Sequence, residues 1–485
     1  MFRDRLCAAA VVLSAGWWAA RGIAQPPERQ STLQVDVERR GPMHEGFAQP
    51  AVTGTNDAFV VSKRPPTPLR EYPPVLRPAA SQAAWLPGYW GWDGAKEDFL
   101  WITGVWRLPP PGMRWIPGYW SAHDQQLVWT SGFWFPIERR HVHYEAAAPA
   151  RQPHQPDLPK PADDAREQFY VPGYWMTTSD GPAWRRGHWS PFHEGWVWIP
   201  TRRVATPAGS VLLRGYWDYP LSQRGLLFAP LSAPNARESA AVFTPQAVVN
   251  AGQLSGWLFT WAAYGHYCFG DYFGEAERRR GIVPWFAIAT DPLFAYERWR
   301  RQSTQPHWQA LLEAQFKRRR AGQNSDAAGR AAPDRGLVVP LNEWAKAPGA
   351  PLPLAMSSHE TRSMAASEAR AIADLARARA NFETAATEAR VSGKTAAFTL
   401  PELLPRPAAR GAPRVGTTGE FIPGTGGRDV PGYGRRTLPG MAGRALPGVD
   451  TTAPGVAAPG VLPGADTRLP TGAELSKPQT PRQPR

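Results

Sequence analysis

The chain has 485 residues, enough for two or three domains, but its 53 prolines and 45 glycines approach a low-complexity composition and argue for fewer. A formal net charge of +14 suits acidic partners and also simply serves solubility. Of the two cysteines, Cys7 lies in the N-terminal segment, so Cys268 stands alone; an intramolecular disulfide is excluded and packing must hold the fold.

Residues 1–24 (MFRDRLCAAAVVLSAGWWAARGIA) begin with Arg3 and Arg5, continue as an apolar run over residues 6–20, and end on Gly22-Ile23-Ala24. This predicts a secretory signal peptide cut after Ala24. The run is shorter than the ~20 residues a spanning helix needs, and no later stretch is long and apolar enough, so the mature chain is expected to have no transmembrane span. Periplasm or cell surface is the expected location, which removes nucleic acid from the candidate partners.

Residues 25–80 are proline-rich (KRPPTPLREYPPVLRP) and read as an extended linker. Residues 146–168 read the same way. Between and after them, residues 81–145 and 169–233 carry a repeated figure. The first block contains Trp85-Gly88-Trp90, Trp101-Gly104-Trp106, Trp115-Gly118-Trp120 and Trp129-Gly132-Trp134, with starts 16, 14 and 14 residues apart. The second contains Tyr170-Gly173-Trp175, Trp184-Gly187-Trp189, a degenerate unit at Trp198 that lacks the glycine, and Leu212-Gly215-Trp217, with starts 14 apart throughout. Such a period marks a repeat architecture.

Val, Ile, Phe and Trp around the motifs favour strands. Residues five apart on a regular strand point to opposite faces, so one extra residue, a bulge, would bring both aromatics to one face. Glycine suits a bulge because it accepts positive φ. The residue before glycine varies while glycine does not, so the glycine backbone is the requirement. A rival reading makes Pro-Gly a tight turn with the two Trp paired across it. Turn signals already stand between units at Asp93-Gly94, Pro111-Gly112, Ser179-Asp180-Gly181-Pro182 and Glu194-Gly195. The predicted fold is therefore mainly β with appended helices: two Trp-rich antiparallel β-meander blocks, then helices.

Residues 234–322 form an aromatic and basic segment. Asp291-Pro292 predicts a helix over about 292–301 by N-cap and first-turn proline. A second helix is expected over about 306–321, with Trp308, Leu311, Leu312 and Phe316 as its apolar stripe and Gly322 as its stop. Residues 323–355 read as a linker. A longer helix over about 358–390, within residues 356–392, follows a capping box of Ser357 and Glu360. It carries a thin heptad seam of Leu375, Phe382 and Ala389. Residues 393–485, with apolar-Pro-Gly triplets, have too little apolar surface to offset chain entropy and read as a disordered tail.

The motifs over 85–134 and 170–217 resemble the WXXGXW-repeat family of exported bacterial proteins, also labelled BcpO-related. The stretch 216–320 resembles a companion region of its long members. The resemblance implies export; it brings no activity, cofactor or catalytic residue. Tyr170 and Leu212 in place of the first Trp, and the unit at Trp198, depart from the pattern.

A buried Trp removes ~150–250 Å² from water, about 4–6 kcal/mol as an upper bound, so a thin sheet without disulfides needs such payloads. The structural role of the tryptophans is therefore expected to lead, with an aromatic platform for sugar rings as the alternative. Three constellations could carry other chemistry. His141 and His143 share a strand face, and His188 and His193 flank a turn, but neither pair has a third metal ligand nearby. Residues 264–271 place His266 two residues from Cys268 near Asp271, without a legible oxyanion hole. The basic runs Arg278–Arg280 and Lys317–Arg320 read as solvated ends before they read as sites for anionic lipid or polymer. The expectation is a non-enzymatic envelope scaffold or interaction protein, without metal or cofactor. The alternatives are a carbohydrate- or peptidoglycan-binding protein and an enzyme centred on 256–274. Candidate partners are cell-wall polysaccharide, an anionic envelope polymer or another envelope protein.

Overall fold

The computed structural model describes residues 35–50, 59–94, 96–123, 125–145, 167–234, 242–322, 336–347, 352–390, 396–402, 414–415 and 421–422. The chain divides into two units, 1–427 and 428–485, and every described residue belongs to the first. The expected signal segment, most of the second linker and most of the tail lie outside the described residues.

The fold is mainly β, as the patterning predicts, and almost every strand pairing is antiparallel. The meander takes a specific form: successive motifs pair in twos as four long hairpins. In the first, Ala84–Leu86 and Tyr89–Asp93 run against Val105–Arg107 and Asp98–Ile102. In the second, Met113–Ile116 and Tyr119–His123 face Phe133–Pro136 and Gln126–Thr130. In the third, Gln168–Val171 and Tyr174–Thr178 face His188–Pro191 and Gly181–Arg185. In the fourth, Val197–Ile199 and Arg202–Thr206 face Tyr216–Asp218 and Gly209–Leu213.

Within the segment expected as a linker over 25–80, the described residues 35–50 and 59–80 are packed, mostly extended with a turn at residues 45–47. Met43 and Phe47 are almost fully buried, and Gly41–Pro42 pairs with His266–Phe269 as the edge of a four-stranded sheet. Proline favours the extended backbone that composition foresees; apolar side chains such as Met43, Phe47, Phe59, Val61 and Leu69 bury it. Residues 336–347, in the next expected linker, likewise supply strand Val338–Pro340 and the short helix α4, Leu341–Trp344, with Leu341 and Trp344 buried.

The other helices are α1, Glu275–Arg279, α2, Pro292–Arg301, α3, Trp308–Gly322, and α5, His359–Arg390. Asp291 caps α2 by accepting from Phe294 N at 2.9 Å. On α3, Trp308, Leu312 and Phe316 are buried, while Leu311 is exposed. The cap of α5 is Ser358, accepting from Thr361 N, one residue beyond the expected Ser357. Leu375 and Phe382 of the expected seam pack inside the molecule, with Ala386 beside them, in one cluster with Ile116, Phe133, Val211 and Phe398.

The largest core joins both repeat blocks to the aromatic segment, from Trp115 and Trp134 through Val197 and Ile199 to Trp257 and Phe269. A buried ion pair reinforces that junction. Arg107, following Trp106, gives both oxygens of Asp218, following Trp217, hydrogen bonds of 2.7 and 2.6 Å.

Candidate functional site

Each long hairpin is interrupted midway, and the interruption contains the glycines. Trp85 pairs with Trp106, and Trp90 pairs with Trp101. Trp115 pairs with Trp134, and Trp120 with Trp129. Tyr170–Trp189, Trp175–Trp184 and Trp198–Trp217 follow the same rule. The first aromatic of one motif thus faces the last of its partner. The seven pairs have ring centroids 5.1–5.6 Å apart and tilted or edge-to-face planes, the geometry aromatic quadrupoles prefer.

The bulge expectation is corrected here. Pairing resumes beyond the gap in unchanged register, so both strands are interrupted equally and no residue is inserted. None of the motif glycines has a positive φ. Glycine is required for space. A Cβ at Gly132 would lie 2.4 Å from the Trp115 ring, and one at Gly118 would lie 2.5 Å from Trp129. Trp101 crowds Gly88, Trp85 crowds Gly104 and Trp198 crowds Gly215 in the same way. In these five motifs the first Trp therefore lies over its partner's glycine, and Tyr170 does the same over Gly187. Nor do the two aromatics of a motif always share a destination, because Trp85 and Trp90 enter different cores.

An interrupted ladder frees backbone N–H and C=O groups, which must find other partners when buried. In the first hairpin, Glu71 is that partner. Its carboxylate accepts from Trp101 Nε1 at 2.7 Å, Gly88 N at 3.0 Å and Gly104 N at 3.1 Å. His44 Nε2 donates to Pro87 O at 3.1 Å, while His44 Nδ1 accepts from Gly46 N at 3.0 Å. That tautomer is neutral, and burial holds the imidazole down at about 4. Burial pushes the Glu71 carboxyl up to about 7 despite its three donors.

In the second hairpin, Glu45 accepts from Trp129 Nε1 at 2.9 Å, Gly132 N at 2.8 Å and His266 Nε2 at 3.0 Å. Burial would raise this carboxyl; hydrogen bonds from His266, Trp129 and Gly132 outweigh it and hold it below its ordinary range. The freed carbonyls of Pro117 and Ser131 accept from Arg379 Nη1 of α5 at 2.9 and 3.1 Å. Arg379 is in turn held by Glu383 at 2.6 Å, and both side chains are fully buried. Glu383 also accepts from Tyr144 and Tyr119. In the fourth hairpin, the residue replacing glycine supplies the partner: Thr201 Oγ1 accepts from Gly215 N at 3.0 Å.

The third hairpin differs. Trp175, Trp184 and Trp189 are half-buried, and all three of their indole nitrogens are shielded from solvent without an acceptor among the described residues, a state that the first and fourth hairpins show at one indole each, Trp106 and Trp198. Tyr170 is 37 % exposed, more than any other motif aromatic. Trp17 and Trp18 lie outside the described residues; none of the other tryptophans is exposed, so the rings serve chiefly as interior.

The other sequence candidates fall apart in space. Cys268 is buried, and burial pushes its thiol up, so it stays protonated at neutral pH. His266 faces Glu45 and Tyr264 O, while Cys268 pairs with Phe259. His141 and His143 sit exposed on a strand against Ala397–Thr399. His193 meets the Trp217 ring edge, and His188 is exposed. Among the described residues no three His, Cys, Asp or Glu side chains are grouped to hold a metal ion. Arg278 pairs with Glu275 at the surface. Arg319 departs from the expected solvated run: its guanidinium lies 3.6 Å over the Trp257 ring.

Glu45, Glu71, Arg379 and Glu383 escape sequence reasoning. Glu45 and Glu71 show locally only a lone acid in a proline- or aromatic-rich stretch (LREYPP, MHEGF), Arg379 and Glu383 only an i,i+4 pair on a helix, and the hairpin groups they hold are 17–264 residues away. Compared with protein-family models, curated proteins and solved structures, the chain matches none.

Proposed function

We propose that this chain is an exported, non-enzymatic scaffold or interaction protein of the cell envelope, and that its WXXGXW hairpins are joints that grip extended segments. The observation supporting this reading is the seating of Glu45 and Glu71. Glu71 comes from the short strand Arg70–Glu71 and Glu45 from a turn that follows the strand Gly41–Pro42; each docks a carboxylate into the glycine gap of a hairpin. That chemistry holds polypeptide and turns nothing over. The basic, then apolar, start of the sequence supports export. The buried state of the rings leaves the polysaccharide alternative few stacking faces. Among the described residues no helix is long and apolar enough to cross a membrane.

Cross-linking of the full chain in cells, followed by fractionation, tests this. A mature chain starting near Gln25, recovered from the envelope with a reproducible protein partner, is expected. An unprocessed cytosolic chain, recovered alone, would sink the reading. A turnover lost in Cys268→Ala would favour the enzyme centred on 256–274.

A further inference from the structure

In the first two hairpins, segments lying across them accept from four of the indoles, while Trp120 donates to Trp90 O and Trp106 Nε1, the equivalent of Trp134 and Trp189, is buried without an acceptor among the described residues. Trp101 and Trp129, equivalent positions, donate to Glu71 and Glu45. Trp90 donates to Thr67 O at 3.2 Å, and Trp134 donates to Gly46 O at 3.2 Å. The segment around each glutamate thus offers a carboxylate and a backbone carbonyl together. In the third hairpin the equivalent donors are Trp184 for the carboxylate, and Trp175 and Trp189 for carbonyls; all three are buried at the nitrogen without an acceptor among the described residues. Strands Tyr174–Thr178 and Gly181–Arg185 pair only with each other among the described residues. The exposed Arg185 and Arg186 stand just before Gly187. The equivalent pairs of the first block are neutral: Leu86-Pro87, Ile102-Thr103, Ile116-Pro117 and Thr130-Ser131.

We propose that the third hairpin, residues 168–191, is a docking site for an extended, glutamate-bearing segment of a partner protein. The glutamate seats at Trp184 as Glu71 does at Trp101, and a neighbouring main-chain carbonyl takes the Trp175 N–H as Thr67 does for Trp90. Arg185, Arg186 and the overall charge of +14 favour an acidic occupant. This site rests on the interaction-protein reading and gives it a partner chemistry.

The probe is a labelled synthetic peptide of residues 66–73 (PTPLREYP), titrated into the full chain by fluorescence anisotropy. Saturable binding is expected, at least tenfold weaker when the peptide carries Glu71→Gln, and similarly weaker for Trp184→Phe in the protein. The peptide change leaves the protein untouched, so it decides the matter even where Trp184→Phe misfolds. A photoreactive group at the peptide's Tyr72 position should label residues 168–191. Absence of saturable binding, equal binding of the Gln peptide, or labelling elsewhere would overturn the site. Chain dimers dissolved by the peptide would replace the partner protein with a second copy. Tighter peptide binding after Asp163→Asn with Asp164→Asn, two neighbouring acids of the 146–168 stretch, would replace it with the chain's own segment. Envelope partners recovered in cells alongside a failed titration would leave the interaction reading standing without this site.

Discussion

The second hairpin and the third carry the same cross-strand aromatic pairs at the same offsets, but meet different surroundings. The second is enclosed from both sides, with Glu45 taking a glycine N–H and Arg379 donating to the freed carbonyls. The third has half-buried rings and indoles without acceptors among the described residues. One motif therefore yields two states, and the difference lies in what crosses the glycine gap. Aromatic pairing closes the hairpin; distant polar side chains seal it.

The largest effect should come from the seal. Arg379→Ala leaves Glu383 buried and opposite no cation, and strips Pro117 and Ser131 carbonyls of their donor. A loss of about 3–5 kcal/mol is expected in chemical denaturation. A loss below about 1 kcal/mol would mean that the second hairpin is no more sealed than the third.

Glu71 gives the next effect, through pH. Its folded value of about 7 exceeds the ordinary 4.5, so the folded state binds the proton more tightly. Its contribution is fully present below 4.5 and is lost as pH rises through about 7. The stability of the native chain relative to Glu71→Gln should therefore fall, by on the order of 3 kcal/mol, as pH is raised across that window. A flat difference would remove the buried carboxylate from the first hairpin's account.

Steric crowding at the gap comes third. Gly132→Ala drives a methyl into the Trp115 ring between packed strands and should cost about 1–3 kcal/mol. Gly187→Ala meets a backbone carbonyl, Val171 O, as Gly132→Ala meets Ile116 O, but its ring contact is the hydroxyl end of the partly exposed Tyr170, which can swing away, so it should cost less. Equal losses in thermal unfolding would show that exposure of the covering ring is irrelevant. The smallest effect separates the indoles. Trp184→Phe removes a donor without an acceptor and should cost about 1 kcal/mol or less, whereas Trp101→Phe also abandons Glu71 and should cost about 2 kcal/mol.

Much of the fold is legible in the sequence. Strand content follows from branched and aromatic residues around a fixed period, and α2 and α3 follow from a cap, an apolar stripe and a stop. The pattern singles out the glycine, but for conformation instead of space, because the ring that covers it belongs to the next motif. Residues 35–48 and 59–80 read as linker because proline content reports backbone extension and is silent on whether an extended segment is packed. The candidate site is legible in its aromatics and glycines. It is not legible in Glu45, Glu71 and Arg379, because an isolated charged residue carries no mark of the distant gap it fills.

The sequence by itself determined a β-repeat of aromatic hairpins with recurring glycines, since period, side-chain shape and turn residues are local properties. Only the tertiary structure decided which hairpins are sealed. That outcome depends on which extended segment or helix comes to lie across each gap, where freed N–H and C=O groups select a carboxylate or a guanidinium from far along the chain.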